Sequence, residues 1–324
     1  MTPEGTLLIS FCNLAGDDDP PLALLSASGE GTPLVPASTL PGIGGITGLA
    51  ADERFVYAAA QVPGRLGRPP NNTAYSELLI FDRAALRPHA RYRFRLAFDV
   101  HSLAVVDGGL VAVSTGTDAL VALTLHEGHV VDEHMHWRAD PLGSDGDHLH
   151  LNALTRHGDA LLVSGFGRRD GRTWSTAHRG FVRTVGALDG APGPVVASDL
   201  VHPHSLLVDG PDLLLCESRD RTVRTLRETL CTALPGYTRG LCRHDSAVYV
   251  GTSVGRRHSR SRPGRLGNPR DTGDPSGECT IVALDPATWQ PTWQTTLTWL
   301  AREVYDLLIL DPPPSPCPGH WRAT

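Results

Sequence analysis

The sequence lacks lysine altogether and has few aromatic residues. Every basic residue among the 29 cations is an arginine, and Phe, Trp and Tyr together make up 6% of the 324 residues. The net charge is −6, and no arginine-rich stripe follows a helical or strand period, so nucleic-acid binding is not expected. No stretch approaches about 18 consecutive apolar residues, and the first residues lack the regions of a signal peptide, so no membrane association is expected.

The cysteines also lack the spacing of a metal-binding or redox motif. No C-x-x-C pair occurs among the six, which are Cys12, Cys216, Cys231, Cys242, Cys279 and Cys317. Such scattered positions favour buried, reduced thiols over a disulfide framework. The composition therefore predicts a cytoplasmic protein.

A short motif recurs along the chain. A polar cluster opens a run of about six residues, a turn follows, and a second run ends in Ser or Thr. Three copies contain histidine, and they read DVHSLAVVDGGLVAVST (99–115), HLHLNALTRHGDALLVSG (148–165) and HPHSLLVDGPDLLLCES (202–218). Two copies without the histidine begin at Thr47 and Arg239, and a sixth first half begins at Tyr305.

The spacing of the motif predicts a propeller. The first strands begin near residues 47, 101, 151, 204, 239 and 305, and four short strands in a repeat of about 40–50 residues are typical of a β-propeller blade. Residues 5–12 resemble a second strand, and the first strand of their unit would be Tyr305–Leu310. We therefore expect an all-β, six-bladed propeller over residues 1–324 as a single domain, in which N-terminal strands join the C-terminal strand in one blade and residues 312–324 form a tail.

Two inserts interrupt the repeat, at residues 165–180 and 253–278. The second is rich in Arg, Gly, Pro and Ser. Loops of this length are usually either functional lids or flexible segments. Both interpretations stay open for residues 253–278.

The innermost strands of a propeller line a central channel, so equivalent residues form layers around its axis. Aligning the six copies predicts a first layer of Thr47, His101, Leu151, His204, Arg239 and Tyr305. The second layer is Gly48, Ser102, Asn152, Ser205, Gly240 and Asp306. His150 would lie one residue before the first layer, with Asp99, His148 and His202 just upstream.

Histidines that are remote in the sequence would thus converge on the axis. A catalytic zinc commonly has three protein ligands and an open position, and imidazole also suits iron. We predict one divalent metal ion, zinc before iron, bound by His101, His150 and His204. Alternate residues of a strand share a face, so the residues Asp99, His148 and His202 would orient these ligands or replace them. A single histidine before a strand is more often structural, and only the three matched positions favour a metal.

The other side of the ring supplies candidate catalytic residues. Arg239 is suited to binding a carboxylate through two hydrogen bonds, and Tyr305 to donating or accepting a proton. Asp306 is a candidate general base, or equally a carboxylate that binds neighbouring backbone amides. Asn152 would bind substrate together with Arg239.

These motifs resemble a bacterial family of uncharacterised propeller proteins. The resemblance rests on DVHSLAVVDGGLVAVST, DHLHLNAL, GYTRGLCRHDSAVYVGTS and EVYDLLIL, and covers roughly residues 40–310. More distantly, the layout is similar to the gluconolactonase and strictosidine-synthase-like superfamily and to the peptidyl-amidoglycolate lyase. The lyase resemblance implies channel histidines on zinc, with arginine and tyrosine nearby. The matching positions are His101, His150, His204, Arg239 and Tyr305.

The sequence therefore predicts a metal-dependent lyase or hydrolase that acts on a small carboxylated metabolite in the central channel. A non-haem iron oxygenase at the same histidines is the first alternative. A metal-free ligand-binding or scaffold propeller is the second, and a metal-free cyclase or isomerase is the third.

Overall fold

The computed structural model describes residues 5–14, 19–26, 31–35, 40, 42–62, 75–140, 146–169, 174–255 and 276–311. Within them, strands form six four-stranded antiparallel sheets. The first strands of successive sheets contact one another in a closed cycle. The predicted all-β, six-bladed propeller is confirmed.

In chain order the strands are β1 (Thr6–Phe11), β2 (Leu22–Ser26), β3 (Gly31–Val35), β4 (Gly45–Ala51), β5 (Phe55–Val62), β6 (Tyr75–Asp82), β7 (Pro88–Phe98), β8 (Val100–Val106), β9 (Gly109–Ser114), β10 (Ala119–His126), β11 (His129–Arg138), β12 (Leu151–His157), β13 (Ala160–Gly165), β14 (Gly180–Gly186), β15 (Pro192–Leu200), β16 (Pro203–Asp209), β17 (Asp212–Glu217), β18 (Thr222–Arg224), β19 (Thr229–Cys231), β20 (Tyr237–His244), β21 (Ala247–Ser253), β22 (Thr280–Leu284), β23 (Pro291–Thr296) and β24 (Val304–Leu310). Short 3-10 turns lie at Thr115–Thr117 and Trp174–Thr176.

The ring closes as the sequence predicts. Blades one to five take their strands in order from β4 to β23, and the sixth sheet has the order β24-β1-β2-β3. Leu8 of β1 pairs with Leu308 of β24. The N-terminal strand thus stands where a second strand stands in every other blade, and it pairs the outward edge of the innermost strand β24.

Among the described residues, the hydrophobic core forms one layer between each pair of neighbouring blades, and a small further cluster lies in the insert after β13. In β9, Leu110 packs in the layer toward blade one, whereas its neighbour Val111 packs in the layer toward blade three. Both faces of the inner strands are therefore buried, which explains why their sequences are continuously apolar instead of alternating. Each fully buried Leu or Val contributes about 1.5–3 kcal/mol.

Hydroxyl groups at or just after the ends of three second strands tie their blades to the next blade. The Ser10 hydroxyl donates to the main-chain oxygen of Thr47 over 2.8 Å, and the Ser253 hydroxyl donates to that of Val304 over 2.8 Å. The Thr115 hydroxyl makes the same bond to Leu151. The recurring Ser or Thr of the sequence motif thus has a structural role between blades.

Every innermost strand contains a β-bulge near its start. In β8 the irregularity lies between Val100 and Ser102, and in β20 it lies between Arg239 and Leu241. The other four first strands shift register at the same place. A bulge re-aims side chains and is frequent beside functional sites, and here it repeats around the whole channel.

Two further expectations concern cysteines and membranes. The cysteines that the structure describes are buried, as predicted. Among the described residues, no helix is long and apolar enough to cross a membrane.

Candidate active site in the axial channel

The strand pairing corrects the predicted layers in blade three. The hairpin after β8 closes at the pair Val106–Gly109, and the one after β12 closes at His157–Ala160. Counting back from these turns places Asn152, not Leu151, at the level of His101. The predicted position of Leu151 in the first layer is therefore wrong, and we call the corrected layer the inner level: Thr47, His101, Asn152, His204, Arg239 and Tyr305.

Two residues before the inner level lies an outer level. Asp99, His150 and His202 occupy it in three consecutive blades, and their φ values are 48°, 51° and 50°. Asp and His tolerate this left-handed conformation better than most residues, and the shared geometry supports the corrected alignment. His150 therefore lies on a different level from His101 and His204. His148, two residues before His150 in the sequence, is exposed.

Two aspartate–histidine pairs form the polar centre of the site. His101 Nε2 lies 3.3 Å from Asp99 Oδ1, and His150 Nδ1 lies 3.1 Å from Asp147 Oδ2. The two imidazoles contact each other edge to face, with ring centroids 5.2 Å apart. Among the described residues, His101 Nδ1 is buried with no hydrogen-bond partner.

Burial sets the protonation of this centre. It lowers the pKa of His150 well below its usual value, assisted by the charge of His101. Burial, with the charge of Asp99, raises the pKa of Asp147 to about 7. Burial also raises the pKa of Asp99, but the charge and hydrogen bond of His101 outweigh it, so that the pKa of Asp99 lies below its usual value. Asp99 is therefore ionised beside His101, and His150 is neutral.

A hydrogen-bonded chain crosses the inner level. Tyr305 Oη donates to Asn152 Oδ1 over 3.4 Å, and Asn152 Nδ2 donates to His204 Nε2 over 3.1 Å. His204 Nδ1 in turn donates to the main-chain oxygen of His202 over 3.1 Å. Burial lowers the pKa of His204 well below its usual value, and burial raises the pKa of Tyr305 well above its usual value. The chain is thus neutral, with Tyr305 as a hydrogen donor.

The inner level forms one end of a cavity of about 140 Å³. His101, Asn152, His204 and Tyr305 line it. Its other wall is a ring of leucines, one from each blade: Leu49, Leu103, Leu154, Leu206, Leu241 and Leu307. The cavity therefore offers hydrogen-bonding groups on one side and an apolar surface on the other.

Arg239 does not line this cavity, and its guanidinium is paired. Nη1 lies 3.4 Å from Glu303 Oε2, and the guanidinium carbon lies 5.4 Å from the centre of the Tyr305 ring. Glu303 also accepts a hydrogen bond from Asn13 Nδ2 over 3.3 Å. Arg239, which is partly buried, and the buried Glu303 thus form an ion pair beside Tyr305.

Aromatic side chains of the insert at 165–180 cover the outer level. The rings of Phe166 and Trp174 lie 4.6 and 4.5 Å from that of His150. Phe166 also stacks on His202 at 4.5 Å, and His202 Nε2 lies 2.9 Å from the main-chain oxygen of Trp174. This insert therefore excludes water from the His150 side. Residues 256–275, which make up most of the other insert, lie outside the described residues.

Asp306 lies against backbone amides. Its Oδ2 accepts a hydrogen bond from Leu49 N over 2.9 Å, which joins blade six to blade one, and its Oδ1 accepts one from Leu307 N over 2.9 Å. Ser102 and Ser205 occupy the same position in their blades and accept hydrogen bonds from Leu154 N and Gly240 N of the next blade. This position, one residue after the inner level, ties neighbouring blades together.

The environment of Asp306 gives a prediction for stability and pH. Burial raises the pKa of Asp306 to about 7, so the folded state binds its proton more tightly than the unfolded chain. This contribution is present at low pH and is lost as pH rises through about 7. The free energy of unfolding of Asp306→Asn, relative to that of the wild type, should therefore increase from pH 5 to pH 8 in urea titrations.

Asp306→Ala is the matched variant, because it removes both acceptors of the blade-closing bonds. It should be about 2–4 kcal/mol less stable than Asp306→Asn throughout this pH range. A constant difference between Asp306→Asn and the wild type would contradict the assignment of the titration to Asp306.

The side chains of the predicted metal ligands His101, His150 and His204 are not arranged around one common point. Within the described residues, no group of three or more His, Cys, Asp or Glu side chains is placed to hold one metal ion. His204 Nε2, the nitrogen opposite its backbone bond, already accepts from Asn152. His101, His150 and His204 are therefore neighbours in one site, and their joint binding of an ion stays a prediction.

Comparisons with known proteins identify a family. Residues 82–317 match the model of a domain of unknown function, DUF4915. The chain belongs to this DUF4915 family. No curated protein is similar enough to the chain to be matched to it.

Solved structures share the fold at low sequence identity. A chain of a nidogen–laminin complex has a TM-score of 0.61 at 12% identity, over 95% of this chain and 99% of that chain. A Bacteroides caccae protein of unknown function has a TM-score of 0.58 at 12% identity, over 95% and 99% of the two chains. A Bacteroides fragilis protein provisionally assigned as a 6-phosphogluconolactonase has a TM-score of 0.54 at 13% identity, over 95% and 98%. At these identities the likeness concerns the propeller fold alone.

Sequence reasoning missed four residues of the site. Glu303 stands two residues before Tyr305, as Asp99 stands before His101, so the repeat itself could have indicated it. Asp147 precedes His150 by three residues and could have been proposed as its partner. Phe166 and Trp174 belong to an insert outside the four strands of the blade, and no repeat pattern points to them.

Proposed function

We propose that this DUF4915 protein is an enzyme that transfers protons to and from a small polar molecule in the axial cavity. The observation that carries the proposal is the pair of aspartate–histidine contacts that meet at His101, which lines the cavity and whose Nδ1 is buried and unpaired among the described residues. Carboxylate–imidazole pairs of this kind are used for general acid–base catalysis. Lyase or hydrolase chemistry is the reaction class that we propose.

His101 is the residue that we propose as proton acceptor. Asp99 lies beside Nε2 and favours the tautomer with the proton on that nitrogen, which leaves Nδ1 as a base. Asp99 also stabilises the imidazolium that forms when His101 accepts a proton. Asp147, which pairs with His150 and has a pKa of about 7, provides the next place for that proton.

The neutral chain of Tyr305, Asn152 and His204 would bind and orient the substrate. These groups offer donors and acceptors for hydroxyl or carbonyl oxygens, and Tyr305 is protonated at neutral pH. A substrate carboxylate would have to displace Glu303 from Arg239. The molecule that we propose therefore presents hydroxyl or carbonyl groups to the cavity, and the carboxylated metabolite expected from the sequence stays a prediction.

The proposal can be tested by activity profiling. Purified protein is incubated with a small-molecule extract of bacterial cells, and mass spectrometry follows which compounds disappear. We expect one small, polar, hydroxyl- or carbonyl-bearing compound to be consumed, and we expect consumption to continue after dialysis against EDTA. Consumption that stops with EDTA and returns with Zn²⁺ or Fe²⁺ would instead favour the metal-dependent enzyme. Saturable binding without consumption would favour the ligand-binding propeller.

A further inference from the structure

A second cavity lies beside blades two and three, outside the axial channel. Its volume is about 470 Å³, which falls in the range of small-molecule sites. Its walls include Thr117, Asp118, Asp140, His148, Leu149 and Arg168. None of these residues lines the axial cavity, so this is a separate place for a ligand.

Asp118 is the buried polar residue of this wall. It is 5% exposed and follows the 3-10 turn Thr115–Thr117 in a left-handed conformation, with φ 46° and ψ 50°. Its Oδ2 accepts hydrogen bonds from His148 N and Leu149 N over 2.7 and 2.9 Å. Its other oxygen, Oδ1, is buried with no hydrogen-bond partner among the described residues. An unsatisfied buried carboxylate oxygen costs free energy, and a ligand donor would remove that cost.

The charges around Asp118 indicate what kind of donor fits. Asp140, an exposed residue, adds a second carboxylate to the walls, and the exposed Arg168 adds a guanidinium. No group of three or more metal-ligating side chains in the described chain is placed to hold an ion, which argues against a metal here. An ammonium group supplies several donors to carboxylates, while a guanidinium binds a carboxylate through two parallel hydrogen bonds.

We propose that this cavity binds a small amino-acid-like zwitterion. Its ammonium group would donate to Asp118 and Asp140, and its carboxylate would bind Arg168. The site is connected to the axial channel through the backbone, because Asp118 holds the amides of His148 and Leu149 in the turn that carries Asp147 and His150. The zwitterion would therefore strengthen the contacts that position this turn.

Calorimetric titration with three simple probes tests the proposal. γ-Aminobutyrate carries both charges, n-butylammonium carries only the ammonium group, and butyrate carries only the carboxylate. At pH 8 we expect γ-aminobutyrate to bind at least about tenfold more tightly than either of the other two. Equal affinity for n-butylammonium or butyrate, or no saturable binding of γ-aminobutyrate at millimolar concentration, would overturn the proposal.

Variants locate the site. Asp118→Asn keeps an acceptor for the two amides but removes the charge, and it should weaken γ-aminobutyrate binding by about tenfold or more. Arg168→Gln changes an exposed residue and therefore still tests the site if Asp118→Asn does not fold. This variant should lower the preference for γ-aminobutyrate over n-butylammonium. Asp132→Asn, on the outer strand of blade two, is the matched control and should leave binding unchanged. Binding that is unaffected by both Asp118→Asn and Arg168→Gln would contradict the assignment.

Discussion

Replacement of Gly48 by alanine should lower the free energy of unfolding by about 3 kcal/mol or more. A Cβ at Gly48 would lie 2.6 Å from Ser102 Cα and 2.8 Å from Leu103 N, both in the backbone of the next blade. Backbone atoms of a packed sheet cannot move aside as the end of a flexible side chain can. The alanine variant must therefore push blades one and two apart at the axis.

Gly158→Ala is the matched control for Gly48→Ala. Gly158 has a φ of +60°, and no atom lies within 4 Å of the position that a Cβ would take there. The substitution therefore costs only backbone strain, about 1–2 kcal/mol. Urea denaturation of both variants gives the comparison. A cost for Gly48→Ala no greater than that for Gly158→Ala would mean that the blades do not approach each other as closely as described.

Replacement of His101 by glutamine should reduce the proposed activity by about a hundredfold to ten-thousandfold. Glutamine preserves much of the polarity of the side chain but cannot accept and release a proton near neutral pH. It also leaves the buried Asp99 without its imidazole partner, which can destabilise the fold. The double variant Asp99→Asn/His101→Gln removes that unpaired charge and should be folded and equally inactive.

Arg156→Gln is the control for the activity measurement. Arg156 lies on β12 toward its far end, in an exposed ion pair with Asp107 at 2.9 Å, and such pairs contribute less than about 1 kcal/mol. Its rate of substrate consumption should equal that of the wild type. Full activity in a folded His101→Gln protein would contradict the role of His101 as proton acceptor.

The fold could be predicted from the sequence because each blade repeats the same local pattern. The apolar runs, the turns and the Ser or Thr ending the second strand all recur, and residues 5–12 match a second strand without a first. Closure of the ring follows from these features alone. The structure also explains the residues that follow the inner level. At Gly48 the backbone of the next blade leaves no room for a side chain. Ser102 and Asp306 at the same position accept hydrogen bonds from the next blade.

The levels of the site could be predicted only in part. In blade three the sequence alignment placed Leu151 in the layer of His101, whereas the hairpin pairing places Asn152 there. The shared left-handed conformation of Asp99, His150 and His202 is a backbone property that the letters do not display. The ion pair between Arg239 and Glu303 depends on where the two side chains lie. The repeat therefore could not show that Arg239 is already occupied by a carboxylate of the protein.

The most direct test is a crystal structure of the protein with the molecule that it consumes, determined with the inactive Asp99→Asn/His101→Gln variant. We predict density for the molecule in the axial cavity, with its oxygen atoms within hydrogen-bonding distance of Asn152, His204 and Tyr305, against the ring of six leucines. Density for that molecule at any other place, with the axial cavity filled by solvent, would contradict the assignment of the channel as the reaction site.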